Sequence, residues 1–67
     1  MQIHVGRFVI VRYSDGAYVS RSGSRSSYTR RLEEARTWST KESAMREACS
    51  NETVVSVEEI MAAGGVR

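Results

Sequence analysis

The stretch SRSGSRSSYTRR, residues 20–31, carries the side chains best suited to chemistry with a partner. Its twelve positions hold four arginines, five serines, a glycine, a tyrosine and a threonine. The guanidinium group of arginine is planar and always charged, so it binds carboxylates and phosphates through paired hydrogen bonds. Tyrosine and arginine are also enriched among the residues that dominate binding at protein interfaces. We therefore predict a partner-binding site formed by Arg21, Arg25, Tyr28, Arg30 and Arg31.

Two kinds of acidic partner fit this site. The arginines can dock on an acidic surface of another protein, including one that otherwise receives nucleic acid, or they can neutralise phosphates directly. The sequence pI of about 9.1 only just meets the value expected of a dedicated nucleic-acid domain. Lysine occurs once, and no helix rich in basic residues is predicted to enter a groove. We therefore favour a protein partner and keep nucleic acid as the alternative.

The charge distribution also favours an acidic partner. Residues 1–36 carry seven arginines and three carboxylates, a net charge of +4, whereas residues 37–67 have a net charge of −2. The positive charge is therefore concentrated in the half of the chain that contains the arginine-rich stretch.

The remaining reactive side chains do not form a catalytic or metal-binding pattern. The single histidine, His4, and the single cysteine, Cys49, show neither the spacing of metal ligands nor that of a nucleophile and its base. The two pairs of adjacent glutamates point in different directions on their elements, so neither predicts a two-carboxylate acid–base site. We expect a non-enzymatic protein without a cofactor or a metal.

The length of 67 residues predicts one domain spanning 1–67. A chain of this size buries only about 60% of its unfolded surface, which leaves no room for a deep active site. A single cysteine cannot form an internal disulfide, so we expect a reducing cytoplasm. The apolar run Phe8–Val11 falls far short of the roughly 20 residues of a membrane span, and we expect no membrane segment and no leader.

A hairpin is predicted to precede the arginine-rich stretch. Strand-forming residues run from about 3 to 13, and Asp15-Gly16 favours a two-residue turn into a second strand at about 17–21. Counting outward from that turn pairs Tyr13 with Tyr18. The serines and glycine that follow predict a flexible Arg/Ser-rich loop at 22–29. Tyr28 either tethers this loop to the sheet or anchors in the partner.

The second half predicts one main helix between strands. We expect a helical turn at 31–34, a short strand near 35–38 and a last strand at 53–57. Ser39 and Glu42 match a capping box that opens a helix at about 40–50. Its apolar stripe is Ala44, Met45, Ala48 and Cys49.

Together these elements predict an α+β fold, a small antiparallel sheet of three or four strands in β-β-β-α-β order packed by one α-helix. After the last strand, Ser56 and Glu59 match a second capping box that opens a short helix through Ala63; a simple strand extension is the alternative. Residues 64–67 are predicted to be a frayed tail. An exposed sheet edge also makes a homodimer plausible. The predicted core is Phe8, Ile10, Val19, Trp38, Ala44, Ala48 and Val55.

The order of these features resembles a pattern found among short phage and prophage proteins. That pattern is a hairpin with an aspartate-glycine turn and a following tyrosine, a leucine-acidic-alanine turn, an aromatic residue, and a helix opening Ser/Thr-Lys-Glu-x-Ala. The matching residues are Asp15, Gly16, Tyr18, Leu32, Ala35, Trp38, Lys41, Glu42 and Ala44. Some phage proteins of this size block bacterial defence machinery, so the resemblance implies an anti-CRISPR-type inhibitor acting in a bacterial host cytoplasm. The Arg/Ser loop is longer and more basic here than in the proteins it resembles.

Overall fold

Four antiparallel strands form one sheet in the computed structural model, which describes residues 7–63. The strands are β1 (Phe8–Arg12), β2 (Tyr18–Val19), β3 (Tyr28–Thr29) and β4 (Glu52–Ser56), in the spatial order β3-β2-β1-β4. A 3-10 helix at Leu32–Glu34 and two α-helices, α1 (Lys41–Glu47) and α2 (Val57–Ala62), complete the fold. The predicted α+β class is confirmed. The start of the first predicted strand, His4 and the predicted tail at 64–67 lie outside the described residues.

Both faces of the sheet are covered, which explains why β1 is apolar on both sides. Side chains alternate along a strand, so Val9 and Ile10 point to opposite faces, and they are 0% and 1% exposed. Val9 packs in a cluster with Val57 at the start of α2, and Ile10 packs in another cluster with Ala44 of α1. The sheet therefore has a face covered by α1 and a face covered by α2.

The predicted core is correct for the α1 face and incomplete for the α2 face. Ile10, Trp38 and Ala44 are buried, and Phe8, Val19 and Ala48 pack against them half-buried. Val55 is half-buried. The buried hydrophobic residues that sequence reasoning missed are Val9, Ala17, Ala35 and Val57. Val9, Ala35 and Val57, which cluster on the α2 face, were missed because the prediction packed one helix on the sheet and left the other face without a cover.

The first hairpin has a wider loop than the predicted two-residue turn, and the predicted pairing of Tyr13 with Tyr18 is wrong. Val11 pairs with Tyr18 instead, and the Arg12 N–H donates to the Ala17 carbonyl at 2.8 Å. Residues 13–16 therefore form a four-residue loop. Tyr13 lies in that loop with 69% of its surface exposed.

Asp15 and Gly16 explain why the wider loop forms. The Gly16 N–H donates to the Arg12 carbonyl at 2.8 Å, and Gly16 has a φ of +73°, a conformation that side-chain-bearing residues rarely adopt. The Asp15 carboxylate accepts hydrogen bonds from the Ala17 N–H and from the Arg12 guanidinium. These side-chain contacts favour a four-residue loop over the tighter turn.

The third strand lies at Tyr28–Thr29, not near 35–38 as predicted. Ala35 forms an isolated bridge with Ser20, next to β2, and Trp38 forms one with Phe8 of β1, so this segment lies between β1 and β2 beyond their paired position. Trp38 and Phe8 exchange two backbone hydrogen bonds of 2.8 Å, and the Arg36 N–H donates to the Val19 carbonyl at 2.9 Å. Isolated bridges of this kind hold Trp38 in the core without forming a strand ladder.

Helix α1 begins one residue later than the predicted capping box. Thr40, not Ser39, is the N-cap, and its hydroxyl accepts a hydrogen bond from the Ser43 N–H at 3.1 Å. The chain stays extended through Thr40 because Trp38 is paired with Phe8.

Helix α1 also ends early, at Glu47, so the predicted helix to residue 50 and its apolar stripe are wrong in part. Ala48 is extended, with φ −72° and ψ 136°, and Cys49 is exposed. Met45 is 58% exposed, which leaves Ala44 as the buried residue of the helix. The Glu52 carboxylate accepts a hydrogen bond from the Cys49 N–H at 2.8 Å, and this contact competes with a further helical turn.

The segment after β4 is a helix, which decides between the two alternatives for residues 57–63. The Ser56 hydroxyl accepts from the Glu59 N–H at 3.0 Å, and the Glu59 carboxylate accepts from the Ser56 N–H at 3.4 Å. The predicted second capping box is therefore confirmed, and α2 follows it.

Candidate protein-binding surface

Residues 21–27, which we call the arginine loop, join β2 to β3 and are closed at their base by a backbone hydrogen bond. The Ser20 N–H donates to the Ser27 carbonyl at 3.0 Å. Within the loop, the Ser24 N–H donates to the Arg21 carbonyl at 3.2 Å, and Gly23 has a φ of +86°. The loop backbone thus turns on itself and projects its side chains into solvent, where every residue from 21 to 27 is exposed.

Arg21 and Arg25 have no carboxylate partner in the described part of the chain. The ion pairs found within residues 7–63 involve Arg12, Arg30 and Arg31. Both guanidinium groups of the arginine loop are therefore available to an external acidic group.

Arg30 and Arg31 lie at the other end of β3, beside the hairpin loop of residues 13–16. Arg30 approaches an Asp15 carboxylate oxygen at 3.4 Å, and Arg31 lies 4.0 Å from Glu33. Their side chains are 73% and 70% exposed, and exposed pairs of this length contribute little to stability. The structure therefore places the four predicted arginines as two pairs at opposite ends of β3.

Tyr28 lies between these two pairs, half-buried in β3 on the α1 face. Its hydroxyl donates a hydrogen bond to the Glu52 carboxylate, and the Arg12 guanidinium lies 3.9 Å from the centre of its ring. These contacts tie the end of the arginine loop to β1 and to the start of β4. Contact between Tyr28 and a partner stays a prediction.

Arg12 extends this contact into a polar chain that crosses the sheet. Its Nε and Nη2 atoms donate to the two Asp15 carboxylate oxygens at 3.0 Å and 2.7 Å. This series of side-chain contacts therefore runs from Asp15 through Arg12 and Tyr28 to Glu52. We call these four side chains the polar brace, because they join the first hairpin, β3 and β4.

The pKa values of the polar brace favour these contacts at neutral pH. The hydrogen bond to Glu52 raises the pKa of Tyr28, and burial raises it further, so the phenol remains a donor. Burial acts to raise the pKa of Glu52, but hydrogen bonds from the Cys49 N–H and the Tyr28 hydroxyl outweigh it. The pKa of Glu52 is lowered as a result, and its carboxylate stays ionised to accept both bonds.

Asp15 makes the fold sensitive to acid. Hydrogen bonds from Arg12 and from the Ala17 N–H lower its pKa from 3.8 to about 2. A carboxylate whose pKa is depressed in the folded state stabilises the fold fully above its unfolded pKa, and this contribution disappears as the pH falls through the folded pKa. We expect Asp15→Asn to be less stable than wild type at pH 7, with the difference vanishing between pH 4 and pH 2. Urea unfolding at a series of pH values measures this difference.

Glu33→Gln is the matched control for that experiment. Its carboxylate lies 4.0 Å from an exposed arginine and accepts no hydrogen bond in the described residues, so the stability profile should follow wild type. A constant gap between wild type and Asp15→Asn down to pH 2 would contradict the assigned role of Asp15.

An open groove of about 230 Å³ lies beside Tyr28 on the α1 face. Its lining includes Val19, Trp38, Glu47 and Glu52, and the Arg36 guanidinium lies 4.9 Å from the Trp38 ring centre. The volume is below the roughly 300–1,000 Å³ of small-molecule sites.

Sequence reasoning found the arginines but missed the residues that hold them in place. Arg12, Asp15 and Glu52 were not predicted to act together, because Tyr28 and Glu52 are 24 positions apart in the chain. The local signal was partial: an aspartate in the hairpin loop, three residues after an arginine, is a typical ion-pair spacing. The contact with Glu52 left no such signal.

Within residues 7–63, no group of three histidine, cysteine or carboxylate side chains is arranged to hold a metal ion. None of the helices in this part of the chain has the length and apolar character needed to cross a membrane. The sequence and the fold match no family model, no curated protein and no solved structure.

Proposed function

We propose that this chain is a non-enzymatic binding protein that docks on an acidic surface of a host protein complex and inhibits it. The observation that carries this proposal is the exposure of Arg21 and Arg25 on a folded loop without a carboxylate partner among residues 7–63. Arginine side chains in this state lose no internal ion pair when they bind carboxylates of another protein. Arg30 and Arg31 extend the same positive surface along β3.

The polar brace supports this proposal because it reduces the conformational freedom that binding would otherwise remove. The loop base is held by the Ser20–Ser27 hydrogen bond and by the contacts of Tyr28 with Arg12 and Glu52. Each side chain or loop that is ordered before binding makes association more favourable. Tyr28 acts in this scheme as the anchor of the loop, and its exposed portion contributes to the interface.

The resemblance to short phage proteins supports a bacterial defence complex as the partner and the bacterial cytoplasm as the place of action. It spans most of residues 8–48, and its matching residues lie on both sides of the arginine loop. Inhibition follows if the loop covers an acidic surface that the complex needs for its own assembly or substrate.

Capture from a bacterial lysate followed by a salt titration tests the proposal. The immobilised protein should retain a host protein after nuclease treatment, and the Arg21→Ala/Arg25→Ala variant should not retain it. The purified host complex should lose activity when the wild-type chain is added.

The nucleic-acid alternative gives a different result in the same experiment. Phosphate binding loses affinity along a log–log line with a slope of roughly −0.7 to −0.9 per neutralised phosphate. Steeply salt-dependent binding to bare DNA or RNA, with no nuclease-resistant protein retained, would overturn the proposal.

A further inference from the structure

The two edges of the sheet differ in how their backbone groups are used. Val57 N–H donates to the Arg7 carbonyl at 2.9 Å and Tyr13 N–H donates to the Asn51 carbonyl at 3.0 Å. Hydrogen-bonded and non-bonded pairs alternate along an antiparallel ladder, so the backbone groups of residues 52, 54 and 56 point away from β1, to the outer edge of β4.

The β4 edge is closed at both ends by contacts within the chain. The Glu52 N–H donates to the Cys49 carbonyl at 3.0 Å, and the Ser56 N–H donates to the Glu59 carboxylate. Among the three outward residues, only Val54 keeps a free N–H within the described part of the chain. An edge blocked in this way resists pairing with another strand.

The β3 edge is open. Ser20 and Ser27 are a hydrogen-bonded pair, so the next pair, Val19 and Tyr28, is a non-hydrogen-bonded one. The Tyr28 N–H and carbonyl therefore point away from β2, to the outer edge of the sheet. No backbone hydrogen bond to Ser26, Tyr28 or Arg30 is formed within residues 7–63. These groups are free to pair with an added strand.

The charges beside the two edges also differ. Arg25 precedes β3 and Arg30 follows it, both exposed, whereas β4 begins with Glu52 and is followed by Glu59. The β3 edge therefore combines free backbone groups with guanidinium groups at both of its ends, which complements an extended segment that carries carboxylates.

We propose that the partner adds an extended acidic segment as a fifth strand along the β3 edge. The segment pairs its backbone with Tyr28 and places carboxylates against Arg25 and Arg30. This inference rests on the proposed function and specifies its binding mode. A second copy of the chain is a poorer occupant, because two β3 edges would bring like charges together and the β4 edge is closed.

Synthetic peptides test this mode directly. The probe is a seven-residue peptide with glutamate at alternate positions and threonine or valine between them, and the charge control carries lysine in place of glutamate. Two further versions are N-methylated at one or the other alternating set of amides. Only one set faces the protein in a strand pair, so one version should bind at least about tenfold more weakly and the other should bind normally. Amide exchange of Tyr28, followed by NMR, should slow at least about tenfold when the unmodified peptide is bound.

The outcomes separate this inference from the proposed function. Binding of the glutamate peptide that is indifferent to both N-methylations and leaves Tyr28 exchange unchanged overturns strand addition, while arginine-dependent capture of a host protein still stands. Absence of any binding of the glutamate peptide also overturns strand addition. A different result is that the chain alone dimerises by sedimentation, with slowed exchange of the Tyr28 amide in the dimer. That result would assign the edge to a second copy and overturn the acidic segment. Failure of arginine-dependent capture as well removes both proposals.

Discussion

The Ala44→Asp variant is expected to be unfolded at 25 °C. Ala44 is 0% exposed and packs against Ile10 and Trp38 on the α1 face. A carboxylate placed there has no described partner, and a buried polar group without a hydrogen bond destabilises a fold by roughly 2–7 kcal/mol, with a charge costing more. A domain of this size has a total stability near the lower end of about 5–15 kcal/mol, so the substitution removes most or all of it. Far-UV circular dichroism and a thermal melt measure the result.

Met45→Asp is the matched control, since it places the same charge one residue further along the same helix. Met45 is 58% exposed, so its carboxylate remains hydrated and the melting curve should stay close to wild type. If Ala44→Asp melts as wild type, or if both variants unfold together, the buried face of α1 has been assigned incorrectly.

The elements with strong local signals were predicted from the sequence. The central strand β1 and the last strand β4 are rich in β-branched residues, and both were predicted within one residue over the described part of the chain: β1 ends at Arg12 instead of residue 13, and β4 spans Glu52–Ser56 instead of 53–57. The Ser56–Glu59 capping box was also correct, because both of its hydrogen bonds are local. Local patterns of this kind depend on few distant contacts.

The errors arose where a contact with a residue outside the cap or the turn dipeptide chose between two local patterns. Ser39 and Thr40 are both good N-caps, and the pairing of Trp38 with Phe8 keeps the chain extended up to the second of them. The Asp15-Gly16 dipeptide fits a two-residue turn, but Arg12 holds Asp15 in a four-residue loop. Neither preference can be read from the residues of the turn or the cap alone.

The charges of the candidate site could be predicted from the sequence, but the contacts that hold its arginines in place could not. Exposure of arginines between serines follows from composition, and the structure shows Arg21 and Arg25 exposed. The division of the four arginines into two pairs depends on β3 being a strand of two residues, and Tyr28 and Thr29 gave no alternation long enough to reveal it.

The two sheet edges differ in how well they could pair with a second copy of the chain. A basic β3 edge and an acidic β4 edge are complementary in charge, and pairing one with the other is a head-to-tail contact, the kind that builds rings or open filaments. The Glu52 and Ser56 N–H groups already donate within the chain, so β4 has few donors left for such a contact. Within the described residues, the outward backbone groups of β3 thus stay unpaired, while the outward N–H groups at both ends of β4 are already bonded.

The Arg21→Ala/Arg25→Ala variant is expected to lose at least about 100-fold in affinity for the captured host protein while keeping its fold. Truncating a hot-spot residue, a class in which arginine is enriched, costs about 2 kcal/mol or more of binding free energy, and tenfold in affinity corresponds to about 1.4 kcal/mol. Neither side chain forms an ion pair within residues 7–63, so the thermal melt should change little.

Lys41→Ala/Arg46→Ala is the matched control, because it removes the same two charges from exposed positions on α1. If binding depends on the arginine loop, this control should bind within a few-fold of wild type, the small change reflecting a weaker long-range attraction that salt screens. Isothermal titration at two salt concentrations measures both variants. Equal losses in the two variants would show that net charge, rather than the geometry of residues 21–27, drives binding. A normal affinity in the loop variant would place the interface elsewhere on the molecule.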